Sequence, residues 1–194
     1  MGGENKRVVL VLGGTRSGKS LFAERLAAGM GGPVTYLATL DAGDGEMERR
    51  VAAHRERRPA GWTTVEEARD IPGRVSEAGK APGVLLVDCV TGWLSNLLLD
   101  GDLPRPGATG AEKEEYIDSM VKELAKAILA CRASVVLVSG EVGLGMVPPY
   151  PLGRIYRDIA GNANRTLATA AGEVYMVVAG LAVEIKSIAV NIEK

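Results

Sequence analysis

Cysteine, histidine and aromatic residues are scarce in this chain. Two cysteines and one histidine stand among 194 residues. Cys89 and Cys131 lie in or beside apolar runs, and neither has a second Cys or a His at metal-ligand spacing. That excludes a paired-cysteine metal site and leaves two reduced core thiols of the kind found in cytosolic proteins. With one Phe and two Trp, the core must be built from Val, Leu, Ile and Ala. An excess of charge of one sign is also missing. The 23 Lys and Arg nearly balance the 24 Asp and Glu, for a net charge of −1, which excludes a protein that holds nucleic acid by bulk attraction. Apolar residues at 46% exclude a disordered tail. No segment approaches the roughly 18 consecutive apolar residues of a membrane span. The stretch Met1–Arg7 is short and polar, with no signal-type run, so the expected location is the cytoplasm.

Glycine is plentiful, at 25 residues, and marks places where backbone must come close to something. The length matches one domain of about 100–200 residues, expected to span 1–194. Short β-branched or leucine-rich runs recur at Val8–Leu12, Val34–Thr39, Val84–Cys89, Ser134–Ser139 and Val174–Ala179. Their apolar residues are continuous rather than alternating, as in strands buried on both faces. Amphipathic segments lie at Lys19–Met30, Glu46–Arg58, Gly92–Leu99, Ala111–Cys131 and around Leu152–Ala171. Such alternation predicts βαβ units, hence a mostly parallel, doubly wound α/β sheet with helices on both faces. Thr109 is the expected cap of the fourth helix, with Glu112, Glu114 and Glu115 near its positive end. Gly180-Leu181 suggests a tight turn into an antiparallel edge strand over 182–186.

Gly13-Gly14-Thr15-Arg16-Ser17-Gly18-Lys19-Ser20 follows the first strand and opens the first helix, the context that the G-x-x-x-x-G-K-[ST] pattern requires. Glycines let backbone amides turn toward a phosphate, and the helix N-terminus adds its dipole. Lys19 can reach the β and γ oxygens, and the Ser20 hydroxyl can ligate Mg²⁺. The third strand ends in Val84-Leu85-Leu86-Val87-Asp88. A carboxylate there fits the metal-linked acid of a P-loop site, or alternatively the cap of the helix that follows. Glu141, just past the fourth strand, reaches the same edge.

His54 sits among Glu46, Arg50 and Arg58 at intervals of four, one stripe on a helix, with Asp44 as a cap and Pro59 as a stop. One reading is a solvated arginine-rich face. The other is a nucleophilic imidazole flanked by guanidinium groups that grip phosphate oxygens.

Taken together, these residues resemble the bifunctional adenosylcobinamide kinase/adenosylcobinamide-phosphate guanylyltransferases of cobalamin biosynthesis. The resemblance runs nearly end to end. It is carried by Gly13 to Ser20, Tyr36-Leu37-Ala38-Thr39, Glu46-Met47 with Arg50-Val51, His54-Arg55 with Arg58-Pro59, and Trp62 to Glu66. It continues through Val87-Asp88-Cys89-Val90-Thr91, Trp93 to Leu98, Glu141 to Pro148, Arg157-Asp158 with Gly161 and Asn164, and Val178-Ala179-Gly180. It implies a P-loop NTPase-like fold, a homotrimer, and His54 as the residue that carries GMP. It implies nucleotide contacts at Gly13, Gly14, Thr15, Arg16, Ser17, Gly18, Lys19, Ser20, Ala38, Thr39, Leu40, Arg55, Glu56, Arg57, Arg58, Glu66 and Asp88. Gly140, Arg165 and Pro149-Tyr150-Pro151 depart from the family's usual residues.

The implied reactions are phosphorylation of adenosylcobinamide by ATP or GTP, then transfer of GMP from GTP to adenosylcobinamide phosphate through a guanylyl-histidine. Lys19 and an Mg²⁺ ion at Ser20 and Asp88 would serve the first, His54 the second. A monofunctional small-molecule kinase would use the P-loop and Asp88 but leave the His54 stripe unemployed. A regulatory GTPase would need an N-K-x-D element after a later strand, whereas Asn5-Lys6 precedes the first strand. A non-catalytic nucleotide-binding protein is the third alternative.

Overall fold

The computed structural model describes residues 6–40 and 59–190. In chain order the elements are β1 (Val8–Gly13), α1 (Lys19–Gly29), β2 (Val34–Ala38), β3 (Thr63–Glu66), α2 (Ile71–Ala78), β4 (Val84–Asp88), α3 (Val90–Leu99), α4 (Gly110–Ala130), β5 (Ser134–Gly140), α5 (Pro151–Ala170), β6 (Glu173–Val178) and β7 (Leu181–Glu184). The strands form one seven-stranded sheet in the order β3-β2-β4-β5-β1-β6-β7. Every pairing is parallel except β6 with β7.

The continuous apolar runs have a direct structural cause. Successive side chains of a strand point to opposite faces, and here both faces are covered. Val9 and Val11 pack with Ala23 and Ala27 of α1, whereas Leu10 and Leu12 join the cluster containing Ile71, Trp93, Leu124 and Leu167 from α2 to α5. Small residues on α1 let that helix lie close to the sheet. On α4, Ile117, Val121, Leu124 and Ile128 form the buried stripe. The helix starts as expected at Thr109, whose hydroxyl and amide are both engaged with Glu112 in a reciprocal capping box.

β3 and α2 are elements that the apolar pattern did not announce. Thr63-Thr64-Val65-Glu66 is a polar edge strand with little to bury. α2 carries Pro72 and Gly73, both poor interior helix formers. It forms because Pro stands in the first turn, the Asp70 side chain accepts from Gly73 N, and Ile71 and Val75 are buried. α3 begins at Val90, two residues ahead of the expected Gly92, and β7 covers Leu181–Glu184 instead of 182–186. The β6–β7 turn has Ala179 at φ 52° and Gly180 at φ 80°, the two positive angles that match a tight hairpin to strand twist. The segment expected as a helix at Glu46–Arg58 lies outside the described residues. Among the described residues no helix is long and apolar enough to cross a membrane.

Candidate active site

β1 ends in Gly13, and the chain leaves the sheet through residues 14–18 before α1 begins at Lys19. Glycine is required at two of these positions. A Cβ on Gly13 would stand 2.5 Å from Ser17 Oγ and 2.6 Å from the Val177 carbonyl oxygen. Gly18 has φ 93°, and a Cβ there would lie 3.3 Å from Gly180 Cα. Ser17 N donates to Gly14 O at 3.2 Å and closes the loop, while Gly180 N donates to Ser17 O at 2.8 Å and props it from the β6–β7 turn. Gly18 caps α1 without a side chain. The first-turn amides, which have no intrahelical acceptors, are thereby presented to an anion. Lys19 Nζ donates to Gly14 O at 3.1 Å, so the ammonium rests over the loop itself.

The carboxyl ends of the neighbouring strands line up beside this loop. In register, Glu66 pairs with Ala38, Ala38 with Asp88, and Asp88 with Val138, while Gly13 pairs with Gly140. One strand, β5, therefore separates Asp88 from the strand that carries the glycine-rich turn. Its side chain does not cap α3. That role falls to Cys89, whose Sγ accepts from Gly92 N at 3.2 Å. Burial, and after it the charge of Asp88, pushes the Cys89 thiol up, with Lys19 acting in the opposite direction. Cys89 is accordingly a neutral cap.

The end of β2 clamps the end of β4. Tyr36 donates its hydroxyl to Asp88 Oδ2 at 2.9 Å. Thr39 N donates to Asp88 O at 3.2 Å, and Thr39 Oγ1 accepts from Cys89 N at 2.8 Å and donates to Cys89 O at 2.6 Å. Asn96 of α3 then ties Thr39 O at 2.7 Å and Ala68 O at 3.1 Å through one amide group. Leu40 packs over Gly92, where a Cβ would meet Leu40 Cδ2 at 2.8 Å.

Between β1 and β4, β5 delivers Glu141. Its amide donates to Gly13 O at 3.0 Å. Its carboxylate accepts from Gly143 N at 3.0 Å and from Asn164 Nδ2 at 3.4 Å. Asn164, only 5% exposed, also donates to Gly140 O and accepts from Ser139 Oγ at 2.6 Å. Arg157 Nη2 secures the following turn through Gly143 O at 2.6 Å. Tyr156 donates to Thr91 O at 3.0 Å, and its phenol is pushed up to about 12, chiefly by burial.

Thus Gly13 to Ser20, Ala38, Thr39, Leu40, Glu66 and Asp88 all fall along one sheet edge. His54, Arg55, Glu56, Arg57 and Arg58 lie outside the described residues. Tyr36, Asn96 and Asn164 emerge as additional members of the edge; all three stand among the residues that carry the family resemblance, which gave none of them a role at the site. Of the departures, Gly140 N donates to Thr91 Oγ1 at 3.2 Å, Arg165 is exposed on α5, and Pro151 opens α5. Among the described residues no group of three or more His, Cys, Asp and Glu side chains converges. Ser20 and Asp88 are hard oxygen donors from two elements, a set that suits an Mg²⁺ ion completed by phosphate oxygens and water.

The family described as cobinamide kinase / cobinamide phosphate guanyltransferase matches residues 9–185. The chain belongs to this family. The bifunctional adenosylcobalamin biosynthesis protein CobP of Pseudomonas aeruginosa is 44% identical over 177 residues, covering 91% of this chain and 96% of that protein. The protein CobU of Escherichia coli, named likewise, is 42% identical over 181 residues, covering 92% and 99%. Among solved structures, an ATPase from the type III secretion system of pathogenic bacteria superposes with a TM-score of 0.53 at 14% identity, covering 95% of this chain and 59% of that one. A second solved ATPase domain gives 0.50 at 16% identity, covering 90% and 70%. Those two likenesses show the P-loop ATPase fold. Membership in the cobinamide kinase family makes this chain a transferase, with kinase and nucleotidyltransferase chemistry on that fold.

Proposed function

We propose that this chain phosphorylates adenosylcobinamide and then transfers GMP to adenosylcobinamide phosphate, using one nucleotide site for both reactions. The observation that carries this reading is the assembly of the glycine-rich loop, Asp88 and Glu141 on one sheet edge in a chain of this family.

In the first reaction ATP or GTP seats its phosphates on Gly13 to Ser20. The hydroxyl of the aminopropanol side chain attacks the γ-phosphorus, and the bond to the departing nucleoside diphosphate breaks. Lys19 leaves the Gly14 carbonyl to follow the transferred charge, and Asp88 or Glu141 orients the attacking hydroxyl. Ser20 and Asp88 would hold Mg²⁺, which when bound neutralises charge on the β and γ oxygens. In the second reaction an imidazole nitrogen of His54 attacks the α-phosphorus of GTP and pyrophosphate leaves. The phosphate of adenosylcobinamide phosphate then attacks the same phosphorus, the N–P bond breaks, and adenosylcobinamide-GDP is released with His54 restored. Arg55, Glu56, Arg57, Arg58 and Glu66 line the nucleotide in this reading, with the Arg side chains holding phosphate oxygens. The family resemblance extends the reading to a cytoplasmic homotrimer of single-domain chains.

The test is Lys19→Ala. Because Lys19 bonds a loop carbonyl in an exposed position, the variant should fold normally and lose on the order of 100- to 1,000-fold in kcat for cobinamide phosphorylation. Phosphorylation at the wild-type rate would remove the P-loop from the kinase reaction.

A further inference from the structure

Tyr36 is a tyrosine where a phenylalanine would fill the same space. It is 2% exposed, in the middle of β2, and its ring lies 6.5 Å from that of Trp62. In register it stands opposite Leu86, which places Asp88 two residues farther along β4 on the same face of the sheet. Diagonal neighbours of this kind are within reach of long aromatic side chains, and the hydroxyl ends 2.9 Å from Asp88 Oδ2. This is the face that α1 covers, so the carboxylate looks toward the helix whose first residues are Lys19 and Ser20.

A carboxylate at a strand end turns about two side-chain bonds, and the strand ladder does not fix its plane. The Tyr36 hydroxyl constrains it through a charge-assisted bond from a buried ring. Thr39, fully buried three residues later and just past the end of β2, fixes the backbone of the same aspartate through its amide and the Cys89 peptide through its hydroxyl. β2 and the residue after it thus grip Asp88 at both ends. We propose that Tyr36 is a positioning residue for Asp88, orienting its carboxylate toward the metal-bearing phosphates of the bound nucleotide. The proposal rests on the metal reading of Asp88 given above.

The experiment measures Mn²⁺ affinity by electron paramagnetic resonance in the full chain saturated with a non-hydrolysable triphosphate. Four proteins are compared: wild type, Tyr36→Phe, Asp88→Asn and the double variant. Removing an outer partner of a metal ligand typically weakens the metal by about 10- to 100-fold, so Tyr36→Phe should bind Mn²⁺ that much more weakly. Its affinity for the triphosphate without metal should be unchanged. The double variant should bind no worse than Asp88→Asn. A hydroxyl that only satisfies itself in the core would leave Mn²⁺ affinity at the wild-type value in Tyr36→Phe while Asp88→Asn is weakened, and that outcome overturns the proposal. Wild-type Mn²⁺ affinity in Asp88→Asn would instead overturn the metal reading of Asp88, and the positioning role with it. Should Tyr36→Phe fail to fold, 4-fluorophenylalanine at position 36 fills the space of the hydroxyl without a donor proton; it should weaken Mn²⁺ binding to the same degree, and wild-type affinity in that variant would overturn the role.

Discussion

Replacing Gly13 by alanine would put a Cβ 2.5 Å from Ser17 Oγ and 2.6 Å from the Val177 carbonyl oxygen. The second of these is backbone of β6 and cannot step aside, so the added methyl must push either the loop or the sheet. Overpacking of this kind costs about 1–3 kcal/mol. Gly13→Ala should lower the urea midpoint accordingly and weaken triphosphate binding, because Ser17 is the residue that closes the loop onto Gly14. Gly14→Ala is the internal control. No heavy atom lies within 4 Å of its would-be Cβ, and its stability should stay within about 0.5 kcal/mol of wild type. Equal losses in the two variants would show that the tight fit at Gly13 is not what matters. Cys89 caps α3 through its sulfur, and its thiol is pushed up by burial and by Asp88, so it stays protonated beside a phosphate site without competing as a nucleophile.

Among the elements, α4 carries its own folding signal. Glu112 accepts from Thr109 N at 2.8 Å and from Arg105 Nη2 at 2.5 Å. The Thr109 amide first, and then Arg105, lower its carboxyl from 4.5 to about 2. A carboxylate depressed in the folded state contributes its stability above the unfolded value and loses it as pH falls through the folded one. The capping contribution should therefore be complete above pH 4.5 and fade between there and about pH 2. Glu112→Gln should be less stable than wild type near neutrality, and the two melting temperatures should converge across that window. A constant difference down to pH 2 would show that the charge of Glu112 is not involved. Thr109 was legible in the sequence as a cap ahead of the amphipathic pattern, with Glu112 near the positive end of the helix; the bond from the Thr109 amide back to Glu112 shows only in the structure. The doubly buried strands were legible because their apolar runs are unbroken, and the phosphate loop because its residues are contiguous. β3 was not, since an edge strand of Thr, Thr, Val and Glu has no burial pattern to show, and neither was α2, whose Pro72 and Gly73 contradict its propensity. Asn164 and Tyr36 were missed as site residues for another reason. Each acts across contacts far apart in the chain, Asn164 on Glu141 and Tyr36 on Asp88, and the tertiary fold is what brings such pairs together.

For the molecule as a whole, a single parallel edge gathers the phosphate loop, the carboxylates of Asp88 and Glu141, and the ends of β2 and β3. In an open α/β sheet the crevice at the strand carboxyl ends is where ligands bind. One such edge serving two successive reactions requires that the nucleotide be attacked at the γ-phosphorus in one and at the α-phosphorus in the other. We propose that the second attack is made by His54 and leaves GMP on the protein. Intact-protein mass after incubation with GTP and Mg²⁺ tests it directly. The predicted result is a gain of one GMP per chain, lost on acid treatment but stable in alkali as a phosphoramidate requires, reversed by adenosylcobinamide phosphate, and absent in His54→Ala. No mass gain in the wild-type protein incubated with GTP and Mg²⁺ in the absence of acceptor, or a gain that persists in His54→Ala, would contradict it.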